Sequence, residues 1–264
     1  MNDNRAMQIV RQTALALGLP ALLFAAWWIS SAGSVSIFFP PLSKILRVFA
    51  EVWFSPRISH DVVPSMLRFF VGYLSAVALG LLLGIPIGAS RRIRQVLEPV
   101  LEFLRAIPPP VLVPIFMLFV GIGDAMKMLV IVSGCVWTVL LNTVAGVRAL
   151  DNVLEEVICC YRIGMLGRLW HFVLPGASPQ IFAGMRQALS IGIILMVISE
   201  MFAASNGLGF SLVQFQRGFA IPEMWTGIIL LGLIGILLAV IFRFVENRML
   251  AWYFGFRRSQ RESA

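Results

Sequence analysis

The ionisable residue with the least expected position is Glu200, an acid near the end of the apolar stretch that covers residues 187–202. A carboxylate at such a depth costs free energy and usually marks function, for example gating or lining a pathway. The small, glycine-rich segment 203–209 follows, and its free backbone groups could instead hydrogen-bond the carboxylate and make it a structural anchor. The sequence leaves both roles of Glu200 open.

Three arginines, Arg68, Arg105 and Arg186, flank apolar stretches, where each can either snorkel to the interface or face an aqueous path. Snorkelling is the favoured interpretation for each. Prolines at 108–110 and 114 cannot continue a helix, so Pro109 marks either a helix start or broken backbone that lines a pathway. Together with Glu200, Arg105, Pro109 and Arg186 are the candidate pathway or gate residues.

Hydrolysis of ATP is not expected on this chain. A phosphate-binding loop needs a glycine-rich turn whose Lys is followed by Ser or Thr, whereas Lys44 precedes Ile45 and Lys127 precedes Met128. No paired catalytic constellation is recognisable either, so we predict that the chain is not an enzyme.

A metal site is not expected either, because the cysteines and histidines show no ligand spacing. These residues are Cys135, Cys159, Cys160, His60 and His171.

The composition places the chain in a membrane. It is 59% hydrophobic and 13% charged, whereas soluble domains carry about 25% charged residues. Six charge-poor stretches approach the ~20 residues that cross a bilayer, and in lipid they must be helices. We therefore predict an all-α polytopic membrane protein of about six transmembrane helices, forming a single domain over residues 1–264. The stretches are centred on 15–29 and cover 69–90, 106–123, 128–147, 187–202 and 225–242.

The arginines orient these spans. They cluster before the first span and after the second, fourth and sixth, which predicts that both termini are cytoplasmic. They form no basic stripe of the kind that binds nucleic acid. Arg5 and Arg11 could alternatively belong to a signal peptide cleaved near residues 31–34.

Two further helix patterns accompany the spans. Gly80, Gly84 and Gly88 repeat every four residues and share one helix face, which favours close packing of another helix, either fixed or moving. Apolar residues between Pro40 and Trp53 have the spacing of an amphipathic helix on the outer surface.

The longest polar segment between spans begins at Arg148 and, with its continuation, covers residues 148–176. We call it the coupling segment. Asp151 or Asn152 can cap a first short helix, and Glu155 and Glu156 suit its opening turns. Gly164 breaks it, and a second amphipathic piece containing Trp170 is expected to end at Pro175. Exposed apolar residues here could dock a cytoplasmic partner, or the segment could lie on the bilayer.

At this segment the sequence resembles the permeases of binding-protein-dependent ABC importers. Their cytoplasmic signature has Glu-Ala-Ala, a Gly after three more residues, and later Leu-Pro. Counting back from Pro175 places the Glu on Glu156 and the Gly on Arg162, with Val157 and Ile158 at the two Ala positions. Because Arg162 replaces the glycine, the turn could shift to Gly164.

A nearer likeness is to the nitrate, taurine, alkanesulfonate and bicarbonate branch. The motifs that carry it are residues 105–109, 113–114, 121–124, 199–201 and 207–209. The resemblance implies a homodimeric inner-membrane permease that works with a dimer of ATPase subunits, which bind ATP and Mg, and with a solute-binding protein. It implies that Glu155, Glu156, Arg162, Gly164, Trp170 and Pro175 couple transport to the ATPase. The expected substrate is a small anion, with a neutral or cationic heterocycle as the alternative and a secondary transporter as the remaining rival.

Overall fold

The computed structural model describes residues 18–19, 21–202, 204–253 and 255, and these residues form helices without any strand. Predictions about Arg5, Arg11, Leu15 and the arginines after residue 255 lie outside the described residues. The longer helices are α1 (Ala21–Ser31), α2 (Leu42–Trp53), α3 (Val63–Ala89), α4 (Arg91–Arg105), α5 (Val113–Val120), α6 (Asp124–Arg148), α7 (Asn152–Cys160), α9 (Leu174–Phe202), α10 (Leu208–Arg217) and α11 (Ile221–Met249). Between them lie α8 (Met165–Arg168), π turns at Ile58–Val62 and Leu169–Val173, and a 3₁₀ turn at Pro109–Leu112.

The chain divides into two compact units. The first comprises Met1–Ile58 and Ser211–Leu230, and the second comprises Ser59–Phe210 and Leu231–Ala264. In the first unit, α2 is the predicted amphipathic helix, with Leu42, Ile45 and Trp53 buried. The Trp53 indole N–H donates to Thr226 Oγ1 at 2.9 Å, which satisfies its polar atom within an apolar setting.

Parallel packing of α3 on α6 forms the centre of the second unit. A Cβ added at Gly80, Gly84 or Gly88 would lie 2.7–2.8 Å from the Cβ of Val139, Thr143 or Val147, so only glycine allows this approach. The prediction that these glycines share a packing face is confirmed. Each contacted residue lies 59 positions further along the chain (80 to 139, 84 to 143, 88 to 147), which means that the two helices run in the same direction.

Helix α9 packs antiparallel on α6, and the helical run that contains it extends from Met165 to Phe202, 38 residues in all. The prediction that a separate piece ends at Pro175 is therefore wrong. A proline is tolerated in the first turn of a helix, and Pro175 is the second residue of α9, which begins immediately after the π turn. Pro179 cannot donate to the Pro175 carbonyl, and the Ser178 hydroxyl donates to it instead at 2.7 Å.

Four described helical runs are long and apolar enough to cross a membrane: Ile58–Ala89, Asp124–Arg148, Met165–Phe202 and Ile221–Met249. They contain the fourth, fifth and sixth predicted spans, and the second except for its last residue, Ser90. The third predicted span differs, because its helical part is only a four-residue 3₁₀ turn followed by the eight-residue α5. It joins α4 at an angle of 80°, and this bent pair could count as a fifth span. Within the first predicted span, α1 is a shorter apolar helix.

Candidate functional site

One end of the second unit carries a group of charged and polar side chains. The parallel α3 and α6 begin at this end, and the antiparallel α9 finishes there. Consequently five side chains from distant parts of the sequence come into contact here. They are Arg68 of α3, Asp124 and Lys127 of α6, Glu200 of α9, and Asn206 of the loop after α9. We call these five residues the polar cluster.

Glu200 is buried, with 1% of its surface exposed, and both carboxylate oxygens have partners. Ser65 Oγ lies 2.7 and 2.8 Å from them, Arg68 Nη1 donates at 2.8 Å, and the Gly209 backbone N–H donates at 3.0 Å. A buried charge is tolerated when it is paired and its lone pairs are satisfied, and here both conditions are met. The geometry fits the structural-anchor interpretation, including the expected bond to the glycine-rich segment.

The Arg68 guanidinium cross-links three parts of the second unit. Its Nε donates to Asp124 Oδ1 at 2.7 Å, and its Nη1 donates to Glu200 Oε1 at 2.8 Å. Its Nη2 donates to Asn206 Oδ1 at 2.6 Å. Only 4% of Arg68 is exposed, so the snorkelling interpretation of this arginine is wrong. A planar, always-charged fork can hold two carboxylates and an amide at once, which an ammonium group cannot do in the same way.

The loop after α9 closes directly over Glu200. Gly207 has a φ of 120°, a conformation that side chains rarely adopt, and an added Cβ would lie 2.5 Å from Glu200 Cδ. Asp61 Oδ1 accepts from the Gly207 N–H at 3.2 Å, and Ser65 Oγ accepts from the Leu208 N–H at 2.9 Å. The carboxylate is thus enclosed by backbone on one side and by Arg68 on the other.

A cavity of about 590 Å³ lies beside the polar cluster. Four of the cluster's five residues line it, and Glu200 does not. The remaining lining comes from the two residues before Asp124, from Phe202 at the end of α9, from Ala204 and Ser205 in the loop after it, and from Met117 of α5. The volume lies within the range of small-molecule sites, about 300–1,000 Å³.

The coupling segment lies at the opposite end of the α3 and α6 pair, after α6 ends at Arg148. Asp151 Oδ1 accepts from the Val153 N–H at 2.8 Å, so the predicted cap of α7 is confirmed. Glu155 pairs with Arg168 of α8, which ties the first helix to the second. Glu156 is exposed.

The turn that ends α7 is formed at Arg162, whose φ is 52°. The Ile163 N–H donates to the Ile158 carbonyl at 3.2 Å, the bond that closes a helix end around a left-handed residue. The turn does not shift to Gly164, which is extended at φ −62° and ψ 158°. Arg162 therefore occupies the backbone conformation that a glycine favours, at the position where the resemblance expects a glycine.

The coupling segment exposes large apolar side chains. Tyr161 is 78% exposed, Met165 91% and Trp170 62%. Side chains of this size are usually covered by a partner or by lipid.

The other predicted pathway residues do not join Glu200. Arg105 ends α4 and pairs with Glu102 at 2.6 Å, with half of its side chain exposed. Pro109 lies in the 3₁₀ turn against Gly134 of α6. Arg186 pairs with the buried Glu246 of α11. The four candidates thus occupy different places.

Sequence reasoning missed the roles of Arg68, Lys127, Ser65 and Asp61 in the arrangement around Glu200. The available signal was the i, i+3 spacing of Ser65 with Arg68 and of Asp124 with Lys127, which places each pair on one helix face. Among the described residues there is no group of three or more His, Cys, Asp or Glu that could hold a metal ion.

Comparisons with known proteins agree with this architecture. The sequence profile of the binding-protein-dependent transport system inner membrane component matches residues 76–251. The taurine transport system permease protein TauC of Escherichia coli is 29% identical, over 92% of this chain and 91% of its own length. The nitrate import permease protein NrtB of Leptolyngbya laminosa is 29% identical, over 72% of this chain and 68% of its own length.

A solved structure shares the fold. The MetNI methionine ABC transporter in an inward-facing conformation has a chain that superposes with a TM-score of 0.59 at 19% identity. The match covers 72% of this chain and 93% of that one. Profile, relatives and fold lead to one assignment: the chain is a multi-pass membrane protein that belongs to the binding-protein-dependent transport system inner membrane component family, the permease subunits of ABC importers.

Proposed function

We propose that this chain forms the transmembrane pathway of an ATP-driven importer for a small anion such as a sulfonate, nitrate or carboxylate. Two copies of the chain form the pathway, a dimer of separate ATPase subunits binds ATP and Mg, and a solute-binding protein delivers the substrate. The names of the taurine and nitrate relatives support this substrate class.

The observation that carries the proposal is the exposed apolar surface of the coupling segment. Met165, Trp170 and Tyr161 are 62–91% exposed. Met165 begins α8, Tyr161 follows α7 and Trp170 lies in the π turn after α8, and Glu155 and Arg168 tie α7 to α8. A transported solute would gain nothing from such a surface, whereas a protein partner or lipid would cover it. We assign it to a separate ATPase, because the chain belongs to the permease family of ABC importers and carries no phosphate-binding loop of its own.

The positions of the arginines support an orientation with the coupling segment in the cytoplasm. The ends of α3 and α6 lie side by side at Gly88 and Val147, so Arg91, Arg92 and Arg148 belong to the same end. Cytoplasmic loops are enriched in such residues. We therefore propose an inner-membrane protein with both termini in the cytoplasm and the polar cluster towards the outside.

Reconstitution tests the proposal. The permease, its ATPase and its binding protein are placed in proteoliposomes, and uptake of labelled taurine, nitrate and acetate is measured with and without ATP. We expect ATP-dependent uptake of at least one anion, and stimulation of ATP hydrolysis by the same solute. Stimulation by only a neutral or cationic solute would overturn the anion assignment, and uptake driven by an ion gradient without ATP would overturn the importer assignment.

A further inference from the structure

We infer that the cavity beside the polar cluster is a binding site for a small organic anion, a short sulfonate or carboxylate with an apolar body. This inference rests on the proposed function and assigns the substrate a first position on this chain. It follows from the available donors and from the polar and apolar parts of the cavity lining.

The polar wall carries two buried cations. The side chains of Arg68 and Lys127 are 5% and 4% exposed, and both line the cavity. All of Arg68's nitrogens donate to protein acceptors, whereas Lys127 makes one described hydrogen bond, to Asp124 Oδ1 at 3.3 Å. An ammonium group has three donors, so two of them remain for a ligand at this wall.

The open donors at the wall favour an anion over a cation. Asp124 is the carboxylate that lines the cavity, and its Oδ1 already accepts from both Arg68 and Lys127. The four charges of the polar cluster balance, because Arg68 and Lys127 pair with Asp124 and Glu200. The preference for an anion therefore comes from the two open donors of Lys127, which can bind the oxygens of an anionic head group and find no acceptor on a cation.

Glu200 does not oppose anion binding from behind. Its side chain is fully buried, and Gly207, Gly209 and Arg68 surround it. The Arg68 guanidinium pairs with the Glu200 carboxylate at 2.8 Å and lies between the carboxylate charge and a ligand in the cavity. The acid that the sequence makes prominent therefore holds Arg68 in place and takes no direct part in binding.

The cavity lining also has an apolar part, which includes Met117, Ile122 and Phe202 and which we call the apolar wall. Ile122 and Phe202 are 73% and 62% exposed, so their side chains are available for contact. An inorganic anion such as nitrate would leave this wall unused, whereas a short alkyl chain would bury apolar area against it. The combination of an ammonium donor with an apolar wall favours an alkanesulfonate or a short carboxylate.

Direct binding to the permease tests the inference. The permease with its ATPase, in nanodiscs without the binding protein, is titrated with labelled butanesulfonate and methanesulfonate, and with nitrate and butylammonium as competitors. We expect saturable binding of butanesulfonate, weaker binding of nitrate and no competition by butylammonium. Lys127→Met should weaken butanesulfonate binding by about tenfold or more, because a charge-assisted hydrogen bond is lost. Lys44→Met, at an exposed lysine of α2, is the matched control and should bind as the unaltered protein does.

A second variant separates the two walls without altering a buried group. Ile122→Ala should weaken binding of butanesulfonate by a few-fold and leave methanesulfonate unchanged, because only the longer chain reaches the apolar wall. If Lys127→Met disrupts the complex, this variant carries the test. If the unaltered protein and the Ile122→Ala variant bind butanesulfonate equally well, the apolar wall does not contact the alkyl chain and the preference for an organic anion is overturned. ATP-dependent sulfonate uptake with the binding protein, but without direct binding, overturns the site and leaves the proposed function standing.

Discussion

Replacement of Gly207 by alanine tests the closure of the loop over Glu200. The substitution places a side chain at a φ of 120° and a Cβ 2.5 Å from Glu200 Cδ. Backbone strain at such a position costs about 1–3 kcal/mol, and overpacking adds about 1–3 kcal/mol. We expect the free energy of unfolding to fall by about 2–6 kcal/mol, the sum of the two.

Two other glycines separate these contributions. Gly121 has a φ of 77° with nothing within 4 Å of an added Cβ, so Gly121→Ala introduces the strain alone. Gly232, inside α11, has neither feature, and Gly232→Ala should stabilise slightly, by about 0.5–1 kcal/mol. The free energies are measured by denaturation in mixed detergent micelles, followed by circular dichroism. A loss for Gly207→Ala no larger than that for Gly121→Ala would refute the close contact with Glu200.

Three further predictions concern the coupling segment and the topology. Arg162→Gly should raise the free energy of unfolding by about 1 kcal/mol, because glycine adopts a positive φ without strain; a loss of stability would contradict the turn at this residue. Trp170→Ala and Glu156→Lys should weaken copurification with the ATPase while membrane insertion is retained, and unchanged recovery would remove the segment from the interface. A cysteine at Arg92 should react with an impermeant reagent only in inverted vesicles, and one at Arg57 only in intact cells; labelling of position 92 from outside would contradict the orientation.

The long apolar helices could be predicted from the sequence because charge-poor stretches of sufficient length have few alternatives in lipid. The glycine face of α3 could also be predicted from the sequence, since a four-residue repeat places its members on one side of a helix. The bent pair formed by α4 and α5 could not be predicted in the same way. Helix α4 has no buried residues and is rich in charge, and no apolar stretch marks where it begins.

The polar cluster could not be predicted because its contacts join distant parts of the chain. Arg68 binds groups 56, 132 and 138 positions away. A single arginine beside an apolar stretch has the same local sequence whether it snorkels or turns inward. Glu200 was recognised because an acid within an apolar stretch is costly wherever it points, but the cation that offsets this cost depends on tertiary structure.

The constant offset between the contacting residues of α3 and α6 limits how this pair can move. Each glycine of α3 receives one side chain of α6, so a shift by a single residue, about 1.5 Å, would bring bulky side chains together along the whole length. The next matching register lies four residues away, about 6 Å. The two helices are therefore held in one register, and we expect them to move together as a rigid unit. Any opening of a pathway in this unit then has to come from its loosely packed parts, such as the break between α4 and α5, rather than from sliding within the pair.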